Sequence, residues 1–318
     1  MNRVDEYLKA AERKNTLQSY ASAIRHFEEE WKGLLPASSD AIARYLADYA
    51  STLSGNTLRH RLAALSRWHL DQGFADPTKS TTIRQLLKGI RTVHNTPENR
   101  ARPLEVEVLE KVDRWLAESI ERAQRQGDHA STLRYTRDRS LILLGFWRGF
   151  RSDELARLTV ENVNIVSAEG MTCYLDRSKA DRQTLGKTYK CPSLSRLCPV
   201  TAFAQWVALA KLDHGPVYRG VDRWGHLSSK AMHPNSLIPL LRSMLSLAGV
   251  PQVKEYSSHS LRRGFAGWAN ASGWDIKQLM EYVGWTDIKS AMRYLDTPDA
   301  ELQSRFEQGL EKGNPKNE

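Results

Sequence analysis

The sequence predicts a mainly α-helical chain in two parts, an N-terminal helical domain and a larger, mostly helical domain with a small three-stranded antiparallel sheet. Three observations lead there. Apolar residues recur at three- and four-residue intervals along most of the chain. Residues 93–103 (VHNTPENRARP) hold two prolines and no apolar period, the composition of a linker. Residues 160–191 break the helical period with short runs rich in β-formers. The expected division is residues 1–92, a linker at 93–103, a second domain at 104–298, and a C-terminal helix and tail at 299–318.

The helices follow in order. In residues 16–31, Leu17, Tyr20, Ile24, Phe27 and Trp31 fall on one helical face. Ser39 reads as an N-cap for the next helix, which puts Ile42, Leu46 and Tyr49 together. A third helix after Gly55-Asn56 carries Leu58, Leu62, Leu65 and Trp68, and Gly73 ends the stretch. A fourth, near 82–91, carries Ile83, Leu86, Leu87 and Ile90. Its other face holds Arg84, Lys88 and Arg91 at spacings of four and three. With Arg59, Arg61 and Arg67 of the third helix, these form either a solvated basic surface or a face that meets phosphates. Farther along, 160–166, 172–175 and 187–191 read as strands, and the polar segment 176–186 (DRSKADRQTLG) as a hairpin loop. This is the one interruption expected in the helical pattern. Leu302, Phe306 and Leu310 place a short amphipathic helix near the end.

The composition narrows the class. Lys and Arg number 46 against 37 Asp and Glu, a formal charge of +9. That excess fits a polyanionic partner such as nucleic acid, and equally a merely basic enzyme. Cys173, Cys191 and Cys198 form no disulfide framework and lack the close spacing of a zinc site. The N-terminus has no signal-peptide core and no apolar run is long enough to span a bilayer. The expected setting is therefore the reducing cytoplasm, at the nucleoid if the partner is DNA.

Four clusters have chemical potential. In GFWRGFRSDELARL, Arg151 sits between two helices with Glu154 three residues on. An arginine there can present its planar fork to a phosphate, and Glu154 can hold the fork or cap its helix. Lys179 in the hairpin loop is either an ordinary exposed lysine or a proton donor on a movable arm. In SSHSLRRGFAGWA, His259 and Arg262 lie one helical turn apart behind Ser257 or Ser258, so an imidazole and a guanidinium converge at a helix start; a capping His and a surface Arg is the plainer alternative. In YVGWTDIKSAMRYLD, Gly284 ends a helix, Trp285 lies in the turn, and Tyr294 falls on the next helix, where a lone tyrosine is usually core. Together two arginines, a lysine, a histidine, an indole N–H and a phenol can carry phosphodiester transfer without a metal.

In order and spacing these residues resemble the tyrosine recombinases, the phage integrase family, and within it the Cre-like branch. The resemblance runs from Asn15 to about Tyr294, with NTLQSYASAIRHFEEEW and LRHRLAALSRWH similar to the family's helical core-binding domain. It implies that Arg151, Glu154, Lys179, His259, Arg262 and Tyr294 occupy the catalytic positions. Trp285 stands where most members have histidine, a variant shared with the Cre-like branch. The resemblance further implies a two-domain clamp on double-stranded DNA, cleavage through a 3′-phosphotyrosyl link with Tyr294, and no cofactor. It also implies strand exchange between two sites in a homotetramer through a four-way junction, with the C-terminal helix docked on a neighbouring protomer or packed in cis. A type IB topoisomerase, a non-catalytic DNA-binding regulator and a telomere-resolving enzyme are the rival readings. Target site and biological outcome are not legible in one chain.

Overall fold

The computed structural model describes Arg3 and residues 14–95, 100–166, 169–176 and 186–294. The chain divides into two compact units, 1–99 and 100–318. Lys179 and the helix expected over 302–310 lie outside the described residues.

The first unit is helical. α1 (Lys14–Arg25) continues into a wider π-helical turn (His26–Glu30), so residues 14–30 are one helical run of two pitches, with Trp31 as its C-cap. α2 (Ser39–Asp48) is capped by Ser38, not Ser39: the Ser38 hydroxyl accepts the Ala41 N–H at 3.1 Å. α3 (Gly55–Asp71) starts at Gly55 itself, two residues earlier than a start after Gly55-Asn56, because Ser54 caps it by accepting from Thr57 N–H. α4 (Thr81–Val93) begins behind the Ser80 cap. Phe27, Ile42, Tyr45, Leu46, Leu58 and Ile83 are fully buried among these helices. His69 ties α3 to the α1–α2 connection: its Nδ1 lies 2.7 Å from Leu65 O, and its Nε2 accepts the Ala37 N–H at 2.9 Å. Those partners assign the Nδ1–H tautomer.

The second unit is built around a buried helix. α5 (Val106–Arg125) packs on α6 (His129–Arg148), whose residues from Ser140 to Arg148 are all buried. A helix apolar on every side belongs in the middle of its domain. α6 is followed by α7 (Ser152–Arg157) and an antiparallel sheet of β1 (Val163–Val166), β2 (Gly170–Leu175) and β3 (Lys187–Pro192). Residues 160–162, expected as strand, form a 3₁₀ turn that leads into β1. In β2 and β3 alternate residues point inward: Met171, Cys173 and Leu175 face the core with Tyr189 and Cys191, and Cys173 pairs with Tyr189.

After α8 (Pro199–Leu209) comes a hairpin that the sequence reading lacked. β4 (Arg219–Val221) and β5 (Leu227–Ala231) pair antiparallel, so 160–191 is not the sole interruption of the helices. The strands are short and partly exposed, without alternation; the turn between them is fixed by Asp222, which accepts from the Trp224 and His226 N–H groups. α9 (Leu237–Leu247), α10 (Ser258–Ala271), α11 (Ile276–Val283) and α12 (Ile288–Met292) complete the described chain. Gly264 lets α10 meet the entering chain: a Cβ there would come within 1.8 Å of Leu104 O. No helix among the described residues is long and apolar enough to cross a membrane.

Candidate active site

The site forms where the end of α6, the start of α10 and the end of α11 meet. α6 stops because Gly149 takes φ +57°, a left-handed cap that an L side chain resists. The chain turns through buried Phe150 to Arg151, which precedes α7. Glu154, on the first turn of α7, is 2% exposed and serves two ends of one residue. Its Oε2 accepts the Arg151 backbone N–H at 2.7 Å, and its Oε1 accepts from Arg151 Nη1 at 2.8 Å. The two roles left open for Glu154, capping the helix and holding the fork, are therefore both filled.

α10 starts with a capping box. Ser257 accepts the His259 N–H, and Ser260 Oγ accepts the Ser257 N–H at 2.9 Å. One turn in, Arg262 points inward, so it is not the surface arginine of the plainer reading: it is 1% exposed. Its Nε donates to Gly149 O at 2.6 Å and its Nη2 to Val283 O at 3.2 Å, with Glu154 Oε2 at 3.9 Å. Arg262 Nη1 has no hydrogen-bond partner among the described residues. Burial draws the Arg262 pKa down to about 10, helped by neighbouring Arg151 and opposed by Glu154, so the group stays cationic at neutral pH.

α11 ends at Gly284 (φ +79°), which hands the chain to Trp285. Trp285 is 6% exposed and its Nε1 has no acceptor among the described residues. The Arg262 guanidinium lies 5.6 Å from the Trp285 ring centroid. Tyr294 stacks on that indole, centroids 5.0 Å apart and planes 26° apart. Its hydroxyl lies 3.2 Å from His259 Nδ1. Tyr294 is not on a helix, as expected, but in the turn after α12, with its N–H donating to Ala291 O at 2.9 Å.

Arg151, Glu154, His259, Arg262, Trp285 and Tyr294 thus form one continuous chain of contacts, although 143 residues separate the first from the last in sequence. A buried carboxylate, two guanidiniums, an orphaned indole N–H and a phenol on an imidazole surround one place where an anion would find donors and a nucleophile.

Residues 117–301 match the family model described as the phage integrase family. The chain belongs to the phage integrase family. An integrase/recombinase XerD homolog of Selenomonas ruminantium is 28% identical over 291 residues, covering 89% of this chain and 81% of that protein. Recombinase Cre of Escherichia phage P1 is 22% identical over 342 residues, covering 91% and 90%. Among solved structures, the XerH site-specific recombinase bound to palindromic difH substrate superposes with a TM-score of 0.63 at 20% identity, covering 91% of this chain and 78% of that one. At that identity the likeness is one of fold. Similarity extends over XerD-type recombinases and Cre alike, so the Cre-like branch is not singled out.

Two groups of this integrase-family site went unread in the sequence. Arg263, beside Arg262, donates from Nη1 to Arg293 O at 2.9 Å and so anchors the backbone that carries Tyr294. Arg148 lies buried behind the site. The doublet at 262–263 and the RGFR spacing were the available signals, but charge alone does not say which arginines turn inward.

The basic residues of the first unit divide. Arg84, Lys88 and Arg91 are exposed on α4, opposite buried Ile83 and Ile90. Arg59 and Arg67 are exposed on α3 and held locally, Arg59 by Asn56 Oδ1 at 2.8 Å and Arg67 by Asp71 at 2.6 Å. Arg61 is half-buried, with its Nε unpartnered among the described residues.

Proposed function

We propose that this chain is a site-specific DNA recombinase that cuts and rejoins strands through Tyr294. One observation carries the reading: the Tyr294 hydroxyl, on His259, stands in a cluster with two buried donors, Arg262 Nη1 and Trp285 Nε1, that have no acceptor among the described residues. Leaving such donors unsatisfied costs about 1–3 kcal/mol each, a cost that an arriving phosphate oxygen removes.

In this mechanism the Tyr294 oxygen attacks a backbone phosphorus and its proton passes to His259. The bond from phosphorus to the 5′-oxygen breaks, leaving a 3′-phosphotyrosyl link. Lys179 gives the departing 5′-oxygen its proton. Arg151, Arg262 and Trp285 hold the nonbridging oxygens as charge builds in the pentacoordinate state, and Glu154 keeps the Arg151 fork in place. The link stores the energy of the broken bond, so a 5′-hydroxyl from a second strand reverses the step without ATP. Exchange between two duplexes needs four such sites, which favours a homotetramer on two DNA sites with a four-way junction between them. The exposed stripe Arg84, Lys88 and Arg91 supplies sequence-independent phosphate contacts.

The test mixes wild type, and separately Tyr294→Phe, with nicked genomic DNA from the source organism, denatures in detergent and sequences what stays attached to protein. Wild type alone should retain DNA, sharing a partly palindromic site, and two such sites should then exchange strands. Retention by Tyr294→Phe would remove the nucleophile. Relaxation of any supercoiled plasmid without exchange would mark a topoisomerase instead. For Lys179→Ala, a 5′-phosphorothiolate leaving group, which needs no proton, should restore most of the lost rate; no rescue would remove the general-acid role.

A further inference from the structure

Arg148 is buried at 1% exposure, one turn before Arg151, and its charge has no carboxylate partner among the described residues. Its guanidinium lies 3.8 Å from the Tyr282 ring centroid, 5.0 Å from that of Tyr189 and 5.6 Å from that of Phe150. Its Nη2 donates to Tyr282 O, while Nε and Nη1 have no hydrogen-bond partner among the described residues. Three titratable groups near it are neutral at physiological pH: burial pushes the Tyr282 phenol and the Cys173 and Cys191 thiols up to about 12. What balances the cation is three ring faces and the carbonyl end of α11, the negative pole of that helix.

A buried, unpaired charge is an expensive way to fill a core, and a Leu or Met would fit the same apolar surroundings at less cost. What arginine adds here is direction. Tyr282 returns a bond, its hydroxyl donating to Trp147 O at 2.9 Å. With the Arg262 bonds to Gly149 O and Val283 O, the end of α6 and the end of α11 are laced in both directions. Tyr189, the second wall of the cage, presses on Gly284, where a Cβ would lie 3.0 Å from its ring. Gly284 is the residue that sets the chain into Trp285.

We propose that Arg148 is a positioning residue for cleavage: wedged between Tyr282 and Tyr189, it fixes the end of α11 and thereby where the Trp285 indole N–H and the stacked Tyr294 ring stand relative to Arg262. This rests on the recombinase reading above. It makes Arg148 act through geometry, without touching DNA.

The test is single-turnover covalent cleavage of a saturating suicide substrate by wild type, Arg148→Met, Arg148→Lys and Tyr282→Phe, alongside Kd for the same DNA. A displacement of about 1 Å at a reacting group costs on the order of 100-fold in rate. Arg148→Met should therefore cleave ten- to a hundredfold more slowly, with the fraction of enzyme that finally reacts and the Kd both within about twofold of wild type. Mere loss of folded protein would lower the reacting fraction and leave the rate constant alone, which would overturn the proposal. Arg148→Lys, which keeps a cation in the cage, should recover part of the rate. Tyr282→Phe, which keeps the ring and loses only the bond to Trp147 O, should slow cleavage by about three- to tenfold and stands in if Arg148→Met does not fold. Wild-type rates in both Arg148→Met and Tyr282→Phe would sink the inference alone; no covalent product from wild type would sink the recombinase reading beneath it.

Discussion

Basic side chains stand in two opposite environments in this molecule. In the second unit, Arg262 and Arg148 are buried to 1% exposure and bonded to backbone carbonyls, with donors left over among the described residues. In the first unit, Arg84, Lys88 and Arg91 stand in solvent along one face of α4. A desolvated guanidinium in a fixed frame acts strongly on one atom at one place, and loses that strength if the frame shifts. A hydrated stripe tolerates any register of phosphates and is screened by salt. On the function proposed above, buried cations are spent on chemistry in one unit and exposed ones on grip in the other.

The contrast breaks most sharply at Arg262. Arg262→Gln should lower the single-turnover cleavage rate by about a thousandfold, in line with removal of a preorganised donor, with DNA affinity changed only a few-fold. It should also lower Tm, because Gly149 O and Val283 O lose their donors. Unchanged cleavage in a folded Arg262→Gln protein would dissolve the distinction between the two sets.

Glu154→Gln comes next. An amide can still accept one of the two Arg151 bonds but carries no charge for the fork, so cleavage should fall by about tenfold to a hundredfold while binding holds. A drop confined to Kd would show that Arg151 grips DNA and does not act on the reacting phosphate.

Replacing Arg84, Lys88 and Arg91 together by Gln should do the reverse. The slope of log affinity against log salt should shrink by up to about 2.7, roughly 0.9 per phosphate contact, and the cleavage rate at saturating DNA should stay put. A salt slope equal to that of wild type would remove α4 from the interface.

The smallest effect concerns burial and exposure at a different group. For Cys198, partial burial is outweighed by hydrogen bonds from Leu194 N–H and from Thr201, which lower its thiol to about 7. Burial raises Cys173 and Cys191 to about 12. Alkylation of Cys198 should therefore rise through pH 7 and level off above it as the thiolate fills, with the other two unreactive in folded protein up to about pH 9. Equal labelling of all three at pH 8 would contradict it.

Much of this was legible in the sequence, for physical reasons. The helices of the first unit announced themselves because their apolar faces are repeated at helical spacing, but the one cap read from sequence, Ser39, was off by one residue, and the Ser54 and Ser80 caps went unread. The family was legible by residue type and order, and of the candidate set Arg151, Glu154, His259, Arg262, Trp285 and Tyr294 do come together, since phosphate chemistry restricts which side chains serve. The β4–β5 hairpin was not legible, because three- and five-residue strands with an exposed face leave no period to detect. Nor was the direction of each arginine. Arg148 and Arg262 turn inward because tertiary carbonyls and rings await them, and those partners lie more than 100 residues away in the chain for Arg148–Tyr282 and Arg262–Gly149.

The most direct test of the central claim is to trap wild-type protein on a suicide substrate, digest the complex with protease and nuclease, and locate the nucleotide by mass spectrometry. The expected result is a 3′-phosphonucleotide on the peptide that contains Tyr294, on the tyrosine oxygen. A nucleotide on any other residue, or none at all from protein that binds the same DNA, would contradict the account.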